Sequence, residues 1–353
     1  MKQNNPAQFI QLSRNKGAII IAFLFVSLNI FAQSQKTGAH IGFIYPISNH
    51  GSLAKEYTNS FSFHALAGVS KSEKAFSLSG LTNVIVDSAS GVQIAGLSNH
   101  IKNAANGVQI AGFVNTYGSG NGLQLAGFTN IASDNVKGIQ LSGFFNKAGQ
   151  TNGLQIAGFT NVAGNVTGAQ VSGFVNVARK VKGVQISGFV NIADSSDYPI
   201  GIINIVKNGE KTIGISVDET QTTLLSFRSG GRVLYGILAA GYNFKNEKAV
   251  YAIEAGMGAH IPITKVFRVN VEGVTLTLND FKEDSYLRSS LRLLPVLRLY
   301  KGIELFAGPT FNYVYTNTAE GKALTRHAIW EKTQGDYLHS VYFGALGGIQ
   351  FKL

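Results

Sequence analysis

From residue 91 onward the chain repeats one unit: GVQIAGLSN at 91, GVQIAGFVN at 107, GLQLAGFTN at 122, GIQLSGFFN at 138, GLQIAGFTN at 153, GAQVSGFVN at 168 and GVQISGFVN at 183. The starts lie 16, 15, 16, 15, 15 and 15 residues apart, and two degenerate copies flank the run, AFSLSGLTN from Ala75 and PIGIINIV from Pro199. Within a unit every second position is apolar, Gly or Thr, as in Val184, Ile186, Gly188, Val190 and Ile192, while Gln185, Ser187, Phe189 and Asn191 stand between. Alternation of period two predicts a β-strand with one dry face and one mostly polar face. The fixed period predicts a repeated strand-and-turn architecture. Charges between 91 and 194 fall in the linkers (Lys102, Asp134, Lys137, Arg179, Lys180, Lys182, Asp194), and only Lys147 sits at a strand's end. Linkers such as Ser133–Lys137 and Ala163–Thr167 have turn composition.

Two architectures satisfy this pattern. In a membrane barrel each unit is one transmembrane strand plus a turn, with its apolar face to lipid. In a β-solenoid each unit is one coil, and Gln and Asn form ladders down the stack. The unit is nearly palindromic about its central Gly, so antiparallel copies would set Gln opposite Asn and Ala or Ser opposite Phe. A solenoid with an apolar core would bury Lys147 and His100, which a membrane interface tolerates. Against the barrel, Ile200–Asn204 lacks one position, a deletion easier at a solenoid corner, and an inward Phe is unusual in a watery lumen. The barrel is the expected fold for the repeats and the solenoid the alternative.

The last third alternates more plainly. Phe267, Val269 and Val271 face away from Arg268, Asn270 and Glu272; Leu291, Leu293, Leu297 and Leu299 face away from Arg288, Arg292 and Arg298; Ile303, Leu305 and Ala307 oppose Glu304. Val341, Phe343, Ala345, Ile349, Phe351 and Leu353 likewise oppose Ser340, Tyr342, Gln350 and Lys352. One greasy and one charged face per strand predicts a barrel wall, and nine of the 13 Tyr, all after residue 230, suit interfacial girdles. With strands near His40–Pro46, Ser60–Val69 and Lys211–Val217, and an optional one at Thr222–Phe227, the expected fold is an all-β antiparallel transmembrane barrel of about 18 strands. The alternative is a β-solenoid of the repeats with a smaller C-terminal barrel. Glu254, Arg268, Glu272, Arg288, Arg292, Arg298 and Glu304 are the candidate lumen charges, set either to select ions in a pore or to pair and stiffen the wall. Long segments at Ser48–Asn59 and Asn317–Asp336, the second holding Trp330, are the expected surface loops.

The closing Gly-Gly-Ile-Gln-Phe-Lys-Leu, residues 347–353, resembles the C-terminal strand that outer-membrane barrels present to the barrel-assembly machinery, although its last aromatic is Phe351 rather than the final residue. The units from 75 to 206 resemble a bacterial surface-repeat family of secreted and outer-membrane proteins of Gram-negative bacteria, notably the Bacteroidetes. The resemblance covers about a third of the chain and implies location and architecture, with no particular activity.

Lys2, Arg14 and Lys16 precede the apolar run Gly17–Phe31, followed by Ala32, Gln33 and Ser34, which predicts a signal peptide over 1–32 and export. The expected organisation continues with N-terminal barrel strands and a surface loop over 33–74, repeat strands over 75–206 and C-terminal barrel strands over 207–353. The 353 residues hold 14% charged residues, 41 Gly and no Cys, which excludes disulfides, thiol nucleophiles and zinc–thiolate sites. The formal charge of +11 is dispersed, so nucleic-acid binding is not expected. The seven His (His40, His50, His64, His100, His260, His327, His339) show no ligand spacing, GSGNG at 118–122 and DSSD at 194–197 read as turns, and no nucleophile motif is present. The expected function is therefore a non-catalytic outer-membrane barrel without metal or cofactor, a passive pore or surface scaffold in contact with outer-membrane lipid. The alternative is a surface-displayed β-solenoid for interaction or adhesion.

Overall fold

The computed structural model describes residues 38–231, 233–280, 286–325 and 327–353. The predicted signal segment, 1–32, lies outside the described residues. The chain divides into two compact units at Asn121/Gly122.

Repeats in both units form stacked coils, not barrel strands. Phe145–Ala157 pairs in parallel with Thr160–Ser172 at an offset of 15 residues, so Asn146 meets Asn161, Gly153 meets Gly168 and Gln155 meets Gln170. In the first unit Val92–Ala95 meets Val108–Ala111 the same way, Gln93 against Gln109. The antiparallel barrel of about 18 strands is thus not what forms, and like pairs with like. The segments expected as N-terminal barrel strands also pair in parallel, Ala39–Ile44 against Thr58–Ser70, as coils of the stack. The expected loop at Ser48–Asn59 contains a 3-10 turn, Gly51–Glu56.

Amide chemistry explains why the parallel stack is preferred to the palindromic alternative. Asn161 Nδ2 donates to Asn176 Oδ1 at 3.0 Å and to Val171 O at 2.7 Å, while its Oδ1 accepts from Asn146 Nδ2 at 3.0 Å. The row continues through Asn191 to Asn204. A second row runs through Gln185, Gln170, Gln155 and Gln140, and here each Nε2 donates to the preceding coil. In the first unit Asn83 donates to Asn99 and Asn99 to Asn115, whereas Gln109 donates back to Gln93. These amides are fully buried, and they fill the coil interior with Ala, Ser and Val such as Ala163, Val166, Ser172 and Val181. Like-with-like stacking gives each amide inside a row a donor on one side and an acceptor on the other, which burial requires, and leaves Gln185 Oε1 unpartnered at the row's end. The apolar positions therefore point outward, and Lys147 and His100 are exposed rather than buried.

Two glycines per unit permit the close stacking. Gly168 has φ +127° and Gly173 ends the same strand; a Cβ on either would stand 2.1 Å from the carbonyl oxygen of Gly153 or Gly158 below it. No side chain fits there.

The first coil's edge is covered by Asn49, whose Nδ2 donates to Ala39 O and whose Oδ1 accepts from Ile41 N. In the last coil Pro199 stands opposite Gln185 and ends the Gln row, and the position missing from this coil falls at the corner. Asn204 instead passes its bonds to Ser229, Nδ2 to O at 2.9 Å and backbone N to Oγ at 2.8 Å.

Eight antiparallel strands then close into a barrel: β1 (Glu210–Asp218), β2 (Thr222–Gly230), β3 (Leu234–Asn243), β4 (Tyr251–Pro262), β5 (Phe267–Asn279), β6 (Tyr286–Tyr300), β7 (Ile303–Thr316) and β8 (Tyr337–Lys352). β8 pairs with β1, Thr212 against Lys352 and Asp218 against Leu346, which removes the sheet edge. The segment expected as a loop after β7 carries a helix, Ala319–Leu324, and a short strand, Trp330–Gln334, that pairs with β8. Outward positions are apolar, among them Ile215, Leu225, Ile253, Leu291, Leu293 and Phe343. Inward ones mix polar residues, among them Ser226, Asn270, Ser290, Asn312 and Ser340, with buried apolar clusters that include Leu276, Leu278, Val314, Leu294 and Val296. Among the described residues no helix is long and apolar enough to cross a membrane.

Candidate functional site

An eight-stranded barrel is just wide enough for inward side chains to fill, and alternation on β1 to β8 sends the charged ones there. Three groups follow the axis. At the middle, Arg292 on β6 makes a two-pronged pair with Glu254 on β4 and lies 3.6 Å from Glu272 on β5. Glu272 also accepts from Arg228 Nε at 2.8 Å and from the Tyr235 hydroxyl at 2.9 Å. The Arg228 guanidinium continues to Ser226 Oγ and lies over the Phe306 ring at 5.1 Å. At one end Arg288 pairs with Asp218, whose other oxygen accepts from Thr220 and from the Thr222 backbone. At the other end Arg268 bridges Glu210 and Glu304 at 2.7 Å each, and Arg298 and Gln350 also bind Glu304. A cleft of about 250 Å³ opens beside this last group, lined by Arg298, Lys265 and His260.

All seven predicted lumen charges are thereby brought into these groups. Glu254, Glu272, Arg288, Arg292 and Glu304 are buried, Arg268 nearly so, and Arg298 is half-exposed at the mouth. Their pairing leaves the middle of the barrel without a free row of charge to guide ions. Arg228, Tyr235, Asp218 and Glu210 complete the groups. Tyr235, expected among the girdle tyrosines, is buried against Glu272, and Asp218, expected with 194–197 in a solvated turn, is buried against Arg288. Arg228 and Glu210 went unnoticed in the sequence. Their signal was present, since Ser226 and Arg228 alternate with Leu225 and Phe227, but β1 and β2 are only nine residues each.

A second buried polar group lies in the first unit. Ser48, His40, His64 and Ser79 form one chain: His40 Nε2 to Ser48 Oγ at 3.0 Å, His40 Nδ1 to His64 Nε2 at 3.2 Å, and His64 Nδ1 to Ser79 Oγ at 3.3 Å. Glu73 Oε1 accepts from Ser62 and Asn59, while its Oε2 has no hydrogen-bond partner. Burial, aided by His64 and His50, lowers His40 to about 3, and burial lowers His64 to about 4 and raises Glu73. Burial thus disfavours charge on each of the three groups, and among the described residues no set of His, Asp and Glu is arranged to hold a metal ion. No family model, curated protein or solved structure matches the chain.

Proposed function

We propose that the chain is a non-catalytic outer-membrane protein of the bacterial surface-repeat kind, in which the barrel is a closed membrane anchor and the coil stack is a scaffold built on it. The carrying observation is the set of paired charges, Arg292 with Glu254, Arg228 with Glu272 and Arg288 with Asp218, across the barrel interior. Buried charges without partners would be very costly, so this interior is organised for closure rather than conduction. Supporting the membrane setting, strands of 9–16 residues are long enough to cross a bilayer and present aliphatic outer faces. The experiment is single-channel recording on the full chain refolded into planar bilayers. Vesicle-inserted protein without discrete current steps is the expected result; steady, reproducible channels would refute closure and restore the pore reading.

A further inference from the structure

Each coil of residues 129–205 has three sides. A linker side carries the outward polar residues Asp134, Lys137, Asn152, Thr167, Arg179 and Lys182. The other two meet at a Gly-Phe corner opposite it. The Gly-to-Ala/Ser side turns Ile139, Leu154, Ile156 and Ile186 outward, and the side after the corner turns out Val162, Val175, Val177 and Ile192. At the corner Phe128, Phe144, Phe159, Phe174 and Phe189 stack at centroid separations of 4.9, 4.9, 5.0 and 5.2 Å, with the first four about 40% exposed. Lys147 is the one charge on the two apolar sides, next to the linker side, where a long stem reaches water.

We propose that these two sides and their Phe edge are immersed in lipid, so that the stack lies along the bilayer as a wedge with its linker side toward the headgroups. Three observations select lipid over a protein partner. The apolar sides diverge from the Phe edge, so one flat partner, including a second copy, covers one side and leaves the other wet; a bilayer covers both. The apolar surface is also continuous with the barrel wall: Ile200 and Gly201 of the last coil share an apolar cleft of about 240 Å³ with the outward Leu234, Met257 and Val271. Finally, hydrocarbon demands that backbone groups be satisfied internally. The in-register coils and the Asn204–Ser229 cap meet that demand. Charge segregation of this kind marks interfacial amphipathic elements.

The inference rests on the anchor reading, and the test separates the two. The full chain, in a Trp330→Phe background, is reconstituted in phosphatidylcholine vesicles with or without mid-chain brominated lipid, carrying one of three probes. These are Phe159→Trp at the edge, Thr167→Trp on the linker side and Leu291→Trp on the barrel wall. Bromine is expected to remove most of the emission of the first and third probes and to leave the second nearly unchanged. Emission retained at Phe159→Trp with loss at Leu291→Trp overturns the immersed stack and spares the anchor. Emission retained at both overturns the anchor, and the inference with it. Equal loss at Phe159→Trp and Thr167→Trp overturns the wedge orientation. Should Phe159→Trp misfold, Ile186→Trp reads the same surface with the same outcomes.

Discussion

The amide rows can be broken by one atom's change. Asn161→Asp replaces a donor nitrogen with oxygen at a fully buried position. Two acceptors then face it, Asn176 Oδ1 at 3.0 Å and Val171 O at 2.7 Å, while Asn146 Nδ2 can still donate. A protonated Asp supplies one O–H for the two lost N–H groups, leaving one acceptor unsatisfied at a cost of about 1–3 kcal/mol. An ionised Asp faces two lone pairs in a dry interior, which drives its folded pKa upward toward the ~8 of deeply buried carboxylates. Because the folded pKa lies above the unfolded ~3.9, the unfolded chain loses its proton first, and stability falls as pH rises through that interval. Each pH unit removes about 1.4 kcal/mol, or roughly 4 kcal/mol between pH 4 and 7. Hydrogen–deuterium exchange of the Thr160–Ser172 peptides, corrected for intrinsic exchange rates, reads the local opening energy. Variant minus wild type should be about 2–4 kcal/mol at pH 4.5 and larger by about 4 kcal/mol at pH 7.5. The same difference at both pH values would refute the claim that this amide's donor nitrogen is sealed from water.

Other consequences follow. Gly173→Ala should destabilise its coil by several kcal/mol, since the new methyl collides with Gly158 O, 2.1 Å away, and backbone cannot yield cheaply; the check is loss of exchange protection centred on the corner. Arg292→Ala strands Glu254, while Glu272 keeps Arg228 and Tyr235, and should cost about 3–5 kcal/mol in urea unfolding of the detergent-refolded chain, whereas Arg292→Leu with Glu254→Leu should recover much of it. His40 and His64, lowered by burial to about 3 and about 4, bind protons more readily when unfolded, so acid should loosen the first coil as pH falls from ~6.5 toward those values. Exchange protection of Thr58–Ser70 that is unchanged between pH 7 and pH 4 would contradict this.

Much was legible from alternation. The six strands after residue 232 and the facing of Arg288, Arg292, Glu254 and Glu272 follow from period two, because a strand's faces are decided locally. Pairing direction is not local. GVQIAGFVN alternates identically in a meander and in a coil, and only the meeting of Asn161 with Asn176, fifteen residues away, reveals which amides satisfy which. Assuming that apolar residues make the core sent Lys147 to the wrong side, since here the amides are the core. In the barrel, residue type and phase located the charges, but the partnership of Arg228 with Glu272, 44 residues apart, depends on closure.

The two amide rows run in opposite senses, Asn donating toward higher residue numbers and Gln toward lower. A single row of aligned amides would behave as a helix does, accumulating opposite partial charges at its ends. Two opposed rows largely cancel that axial dipole. Coils can accordingly be gained or lost by duplication without building a potential along the stack. What ends the pairing in each unit is then a terminator, Asn49 at the edge of the first unit's first coil and Pro199 in the second unit's last coil, rather than an electrostatic limit on growth.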